Sequence, residues 1–399
     1  MRVGIPKLES GERLPDYAGA GVVNLMQSVA VACGAAGAGY LPLGLTLPPA
    51  LGEARNLVLL VIDGMGDALL QAAGQGTQLL AHRAGMLTSV FPSTTATAVT
   101  TLLTGLAPAQ HGLTGWHMYL AEAGSVLAVL PLSRRVARPA DREWPALPPP
   151  QALFDQGGLF ASLDRRSHVV SPVAIAGSAF NRFHTERAIA HAYGARGELF
   201  DCIADIARQG VDRQYVYAYY DGLDSLSHRV GAYGEAAAAE LRELDAGFAS
   251  LLAQLDGSDT TLLVTADHGF IDSPEARGID LAQHPKLEAM LTQPLCGEPR
   301  IAYCQVAPER QGAFETYVAR RLGHATRCVR SDALLGAGWF GPGTPNPRLA
   351  GRIGSHTLVM RENWTIRDWL PGERRYRQIG VHGGVSTREM QVPLIFAHC

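Results

Sequence analysis

The side chains that could do chemistry lie just past short apolar runs. Asp63 follows Asn56 to Ile62 (NLVLLVI), Asp267 and His268 follow Thr260 to Thr265 (TTLLVT), and Gln214 to Tyr220 (QYVYAYY) leads through Asp221 into the segment DSLSH. Within DSLSH, Asp224 and His228 are four residues apart, so a helix there would project both from one face. His382, followed by Gly383 and Gly384, adds an imidazole on a backbone free to approach a crowded site. Carboxylates and imidazoles that converge suit a divalent cation, and an open coordination position makes such a site catalytic. Phe91 to Gly105 (FPSTTATAVTTLLTG) is dense in hydroxyls, with Thr94 or Thr95 placed to open a helix running to about Thr104. The free N–H groups at a helix start hold phosphate and favour a developing alkoxide. Taken singly, each residue also has a plainer reading. A strand-end Asp forms turns, a lone His packs or hydrogen-bonds, and Ser93 or Thr94 caps a helix.

Such residues act together only if the chain delivers them to one edge. The three apolar runs, each closed by acids, read as buried strands of a parallel sheet whose carboxyl ends carry the chemistry. From Glu235 to Leu255, Leu241, Leu244, Phe248, Leu251, Leu252 and Leu255 recur at three- and four-residue steps, which predicts an amphipathic helix. Strand, helix and strand in that order imply a right-handed crossover, and Val392 to Phe396 (VPLIF) offers a final strand. The expected fold class is therefore α/β with a mostly parallel central sheet. Two segments, about 120–160 and 273–377, are rich in Pro, Gly and Arg with little periodicity and read as cap-like insertions. No Ser/Gly-rich linker divides the chain, so residues 1–399 are expected to form a single catalytic domain.

In order along the chain, VIDGMG around Asp63, FPSTT with TGLAPAQHG (Thr104 to Gly112), DSLSH, TADHG (Thr265 to Gly269) and HGGVS (His382 to Ser386) resemble the alkaline phosphatase superfamily. Within it the chain is similar to the nucleotide pyrophosphatase/phosphodiesterase (type I phosphodiesterase) branch. The resemblance implies a three-layer sandwich and two metal sites bridged by the phosphoryl group. Asp63, Thr95, Asp267 and His268 would hold one ion, and Asp224, His228 and His382 the other. Zinc is the ion the resemblance suggests, and manganese or iron also suits such ligands. Thr95, three residues after Pro92, stands at the family's nucleophile position. Hydrolysis would then pass through a covalent phospho-threonine in two inverting displacements, retaining configuration at phosphorus. One departure stands out: where that branch carries an Asn donor after the PxxHG turn, this chain has Trp116 beside His117. Both are candidate substrate contacts, an indole N–H or imidazole partly replacing the amide. His111 belongs to the turn and is read as structural.

Composition bounds the remaining choices. The chain has 399 residues, 47% hydrophobic and 18% charged, which excludes a disordered or coiled-coil protein. A net charge of −3 leaves no electrostatic footprint for a nucleic-acid duplex. Six cysteines lack CxxC or framework spacing, and Glu9, Glu12 and Asp16 do not suit an export signal, so a cytoplasmic protein is expected. The uncharged stretch from Tyr17 to Gly52 is broken by prolines, glycines and amides, so no membrane partner is expected. The activity that fits best is two-metal hydrolysis of phosphodiester or pyrophosphate bonds in a small-molecule phosphate ester, a nucleotide among the candidates. Alternatives are a phosphonoacetate-hydrolase-like or phosphomonoesterase activity on the same centre, or a metal-binding scaffold without turnover. Trp116, Tyr119, Phe180, Phe183 and Trp364 are candidates to stack a base, and Arg134-Arg135 and Arg374-Arg375-Tyr376-Arg377 to meet phosphate. Oligomeric state is left open.

Overall fold

The computed structural model describes residues 7–47, 50–135 and 145–399. Residues 136–144 of the first expected cap segment lie outside the described residues. A seven-stranded sheet forms the centre, in the order Arg83–Thr88, Gln391–His398, Thr260–Thr265, Asn56–Ile62, Gln214–Tyr220, Arg166–Pro172, Ile189–Tyr193. Asn56–Ile62 pairs in parallel with both neighbours, and only Gln391–His398 runs against the rest. Every residue of Asn56–Ile62, Gln214–Tyr220 and Thr260–Thr265 is buried, which is why these runs read as continuous apolar stretches rather than alternating ones. The register sets Ile62 beside Tyr220 and Val61 beside Thr265, so three strands end level. Asp63, Asp221 and Ala266–His268 are then the first residues past a common edge.

The local elements follow from that ending. Gly222–Val230 turns helical at once, bringing Asp224 and His228 one turn apart, and Glu235–Leu255 buries Leu241, Leu244, Phe248, Leu251 and Leu255 against the core. This second helix packs along Arg196–Gln209, which covers the strands Arg166–Pro172, Ile189–Tyr193 and Gln214–Tyr220. Thr95–Thr104 is wholly buried and ends at Gly105, whose φ of 71° is the left-handed turn that stops a helix.

The two low-periodicity segments, with the strand His117–Leu120 just before the first, form a second seven-stranded sheet, antiparallel throughout. Its order is Thr326–Arg330, His356–Met360, Ile301–Cys304, Cys296–Gly297, His117–Leu120, Ser125–Ala128, Ser133–Arg134. The Gly297–His117 pairing joins the two segments into one sheet. Phe91 from the central region sits edge-on against Trp339 and Phe340, at 5.0 and 5.1 Å between centroids, knitting the sheets together. A buried pair does the same: the Arg300 guanidinium donates to both oxygens of Glu389 at 3.1 Å, with side chains at most 1% exposed. All six cysteines are free thiols, and no helix among the described residues is long and apolar enough to cross a membrane.

Candidate metal centre

The level strand ends converge on one buried cluster. His268 Nε2 lies 3.4 Å from Asp63 Oδ1 and 3.4 Å from Asp267 Oδ2, and Thr95 Oγ1 is 3.0 Å from the same nitrogen. Asp267 is oriented by its other oxygen, which accepts the N–H of Gly64 at 3.1 Å and of His268 at 2.9 Å. Asp63 Oδ2 accepts the hydroxyl of Tyr219, and its Oδ1 stays bare. Beside this group, His228 Nε2 lies 3.5 Å from Asp224 Oδ1 and 3.2 Å from His382 Nε2. His228 donates from Nδ1 to the Gly380 carbonyl at 2.8 Å, which fixes the ring and leaves the Nε2 lone pair facing its neighbours. The rings of His268 and His382 stack at 3.7 Å, so the two groups are contiguous. Donor atoms of Asp63, Asp267 and His268, and those of Asp224, His268 and His382, each lie within 4.8 Å of one another. All seven residues expected from the sequence thus meet in one place.

Left to itself this cluster is electrostatically poor. Burial, together with the charges of Asp224 and Asp267, holds the Asp63 carboxyl well above the usual range, and burial followed by the Asp267 charge does the same to Asp224. Burial also pushes His228 down to about 4, and His268 and His382 below the usual imidazole value, so the imidazoles are neutral and supply no compensating charge. Asp63 Oδ1, Asp224 Oδ1 and Asp267 Oδ2 are buried without a hydrogen-bond partner among the described residues. Such oxygens are costly unless something cationic meets them. Divalent ions between carboxylates and imidazole lone pairs resolve both deficits, so the residues fit the metals expected.

The Thr95 hydroxyl sits at the first residue of its helix. Neither neighbouring hydroxyl caps that helix, contrary to the plainer reading. Ser93 Oγ donates to the Gly384 carbonyl at 2.7 Å, tying the helix start to the His382 loop, and Thr94 Oγ1 donates to Glu298 Oε1 at 2.6 Å. His111 is structural: it bonds the Thr101 hydroxyl at 3.1 Å and accepts the Leu113 N–H.

A cavity of about 440 Å³ opens over the cluster, lined on one side by Thr95, Asp224, His228 and His382. Its other walls come from the second sheet and its loops. Trp116 and His117 both line it, Trp116 half open at 37% exposure and His117 held neutral, its value pushed down to about 3 by burial and by Arg135 and Arg367. Of the aromatic candidates for stacking, Trp116 alone lines the cavity; Phe180 is buried against Phe154, and Trp364 lies under Arg277. Trp369 and Tyr376 line it instead. Arg135 is not free for phosphate: Asp368 and Glu373 each hold it at 2.8 Å. Glu298, Arg367 and Trp369 were not singled out from the sequence, because each stands in a segment without motif or periodicity and meets the cavity only through tertiary packing. Glu298 accepts the Thr94 hydroxyl and, at 2.8 Å, the Trp116 N–H, and burial raises its carboxyl to about 7.

A model of the type I phosphodiesterase / nucleotide pyrophosphatase family matches residues 57–384. No curated protein matches the chain in sequence. Among solved structures, murine ectonucleotide pyrophosphatase / phosphodiesterase 5 is similar with a TM-score of 0.64 at 15% identity, over 85% of this chain and 87% of that one. An inactive form of the same murine protein in complex with AMP matches equally well, at 16% identity with the same coverage. Phosphonoacetate hydrolase from Sinorhizobium meliloti, in complex with phosphonoformate, has a TM-score of 0.62 at 16% identity, over 86% of this chain and 90% of that one. At these identities the likeness carries the α/β fold.

Proposed function

Since the chain belongs to the type I phosphodiesterase / nucleotide pyrophosphatase family and is a metal-dependent phosphoric ester hydrolase, we propose that it cleaves phosphodiester or pyrophosphate bonds with Thr95 as nucleophile. The observation that carries this reading is Thr95 Oγ1 at a helix start, 3.0 Å from His268 and beside three buried carboxylate oxygens that lack partners. Asp63, Thr95, Asp267 and His268 would hold one divalent ion and Asp224, His228 and His382 the other, zinc being our first choice with manganese or iron as substitutes. When bound, such ions lower the pKa of a ligated hydroxyl and neutralise charge on the phosphoryl oxygens.

The chain's own part can be followed from its atoms. The free N–H groups of the helix opened by Thr95 and its positive dipole end face the phosphoryl group. The Thr95 oxygen, its proton given up to solvent, forms a bond to phosphorus while the bond to the leaving oxygen breaks and that oxygen is protonated from solvent, giving a phospho-threonine. A water then forms a bond to phosphorus as the bond from Thr95 to phosphorus breaks, its proton restoring the threonine hydroxyl, with overall retention of configuration. Tyr219 and the Gly64 and His268 N–H groups keep Asp63 and Asp267 aimed throughout. The bound AMP of the murine protein and the phosphonate ligand of the hydrolase support a small phosphoryl compound as substrate. We read the second sheet as the cap of one catalytic domain spanning the chain.

A rate comparison on bis-p-nitrophenyl phosphate, p-nitrophenyl phosphate, a thymidine p-nitrophenyl phosphodiester and phosphonoacetate, with zinc-loaded protein, tests the reading. Diester rates well above monoester rates are expected, and chelation should abolish them until zinc or manganese is returned. Preference for the monoester or phosphonate would move the protein to the alternative activities. Full activity after metal stripping would overturn the two-metal centre.

A further inference from the structure

Arg367 ends the strand Thr365–Arg367 and lines the cavity. Its guanidinium is placed by neutral groups. It donates to the Tyr376 hydroxyl at 3.3 Å and to the Gln378 side-chain oxygen, and lies 5.7 Å from the Trp369 ring centre and 5.2 Å from that of Tyr376. Neighbouring arginines are handled otherwise: Arg135 is neutralised by Asp368 and Glu373, Arg375 by Asp280 at 3.2 Å, and Arg377 by Glu275 at 3.5 Å. No carboxylate among the described residues reaches ion-pair distance of Arg367. Nor does one reach Arg374, which lines the same cavity. Arg367 is close enough for its charge to act on Glu298, His117, His228 and His382, the walls around the reacting position. An oriented guanidinium with uncompensated charge, facing a cavity, is a fork waiting for an anion.

We propose that Arg367 is a specificity-determining residue that binds a second anionic group of the substrate, a carboxylate or a further phosphate, distinct from the phosphoryl group that reacts at Thr95. This inference rests on the phosphoryl-hydrolase reading above. Trp369 and Tyr376 hold the Arg367 guanidinium in place, and Arg374 adds positive charge at the rim. The substrate class is then a phosphoryl ester or anhydride whose leaving portion is itself acidic, small enough for a cavity of about 440 Å³.

Calorimetric binding to the zinc-loaded protein tests this with probes that share a phosphonate and differ in the second charge. They are 3-phosphonopropionate and 4-phosphonobutyrate, the bisphosphonates of matching length, and butyl- and pentylphosphonate, which lack a second anionic group. In the wild type the best probe with a second anion should bind about tenfold or more tighter than its partner without one, as a bidentate charged pair implies. Arg367→Gln should reduce that ratio to within about threefold, and Arg367→Met, which keeps an apolar stem against the two rings, should do the same if the Gln variant melts early. The carboxylate and bisphosphonate arms separate the two anion types, and metal chelation by bisphosphonates is recognised because it survives in both variants. For the carboxylate probes, which lack that second chelating group, a ratio near one in the wild type or a preference that persists without Arg367 overturns the inference alone. Failure of every phosphonate to bind would instead overturn the phosphoryl-hydrolase reading, and the inference with it.

Discussion

The two seven-stranded sheets meet at one cavity and supply it by opposite means. The central sheet is mostly parallel, its three middle strands end level and are buried on both faces, and the metal-ligating candidates they deliver lie one to eight residues past a strand: Asp63 after Ile62, Asp267 and His268 after Thr265, Asp224 and His228 after Tyr220. Short links from rigid strands leave little freedom, as atoms that must share an ion require. The second sheet is antiparallel, built from strands of two to five residues. Its margins contribute Trp116 and Glu298 to the cavity, and the separate strand Thr365–Arg367, paired with Gly278–Asp280, contributes Arg367; on the proposals above these side chains meet the part of a substrate that does not react. On that reading bond breaking falls to the central sheet and substrate selection to the segments that cover it, and the two should be separable by mutation.

The largest expected effect falls on the central sheet. Thr95→Ala removes the attacking oxygen, and kcat should fall by about 10³-fold or more while substrate binding changes far less. Metal content, measured by elemental analysis, should stay largely intact because six of the seven proposed ligands remain. Turnover at near wild-type rate would remove Thr95 as nucleophile. A variant that lost its metals as well would show that the two roles of Thr95 are not separable.

The next effect concerns the contact between the sheets. Arg300 comes from the hairpin that carries Glu298, and Glu389 accepts from the Gly384 N–H and the Ser386 hydroxyl, two and four residues past His382. Arg300→Ala would leave a buried carboxylate without its cation, costing about 3–5 kcal/mol, read as a lower urea midpoint. Since the same carboxylate fixes the His382 loop, metal affinity should weaken too. An unchanged midpoint would mean that aromatic packing through Phe91 alone holds the sheets together.

What the sequence revealed divides along the same line. Apolar runs such as NLVLLVI have one environment, buried on both faces, so composition shows the strand and the residue after it shows the edge. The i, i+4 spacing of Asp224 and His228 needed only a helix, and Gly222–Val230 provides it. In the second sheet, strands such as Cys296–Gly297 are too short for alternation to show, and its core comes from residues far apart in the chain, such as Phe91 with Trp339. The pairing of Gly297 with His117 joins residues 180 positions apart, and nothing local announces it. Glu298 and Arg367 therefore had no signal, and the cluster from Arg374 to Arg377 was visible only as charge. Thr94 shows a subtler limit. It sits at a helix start where capping is the usual use of a hydroxyl, yet tertiary contact turns that hydroxyl to Glu298.

The smallest expected effect sharpens the comparison from the side of the second sheet. Burial raises the Glu298 carboxyl to about 7, outweighing the two donors on Oε1, which favour the ionised form. Its folded value lies above the usual carboxylate range, so the folded state holds this proton longer than an unfolded chain would. Stability from this group is thus lost as pH rises from the ordinary carboxyl range toward 7, and above 7 a negative charge stands in the cavity. An anionic substrate should meet that charge as repulsion, raising KM about two- to fivefold across the transition with kcat little changed. Bound cations would draw the break to lower pH without changing its direction. Glu298→Gln keeps the acceptor for Thr94 and Trp116 and cannot ionise, so its KM should be flat where the wild type's rises. Identical KM profiles in the two proteins would show that Glu298 only braces Thr94 and Trp116, and would confine the electrostatics of the second sheet to its arginines.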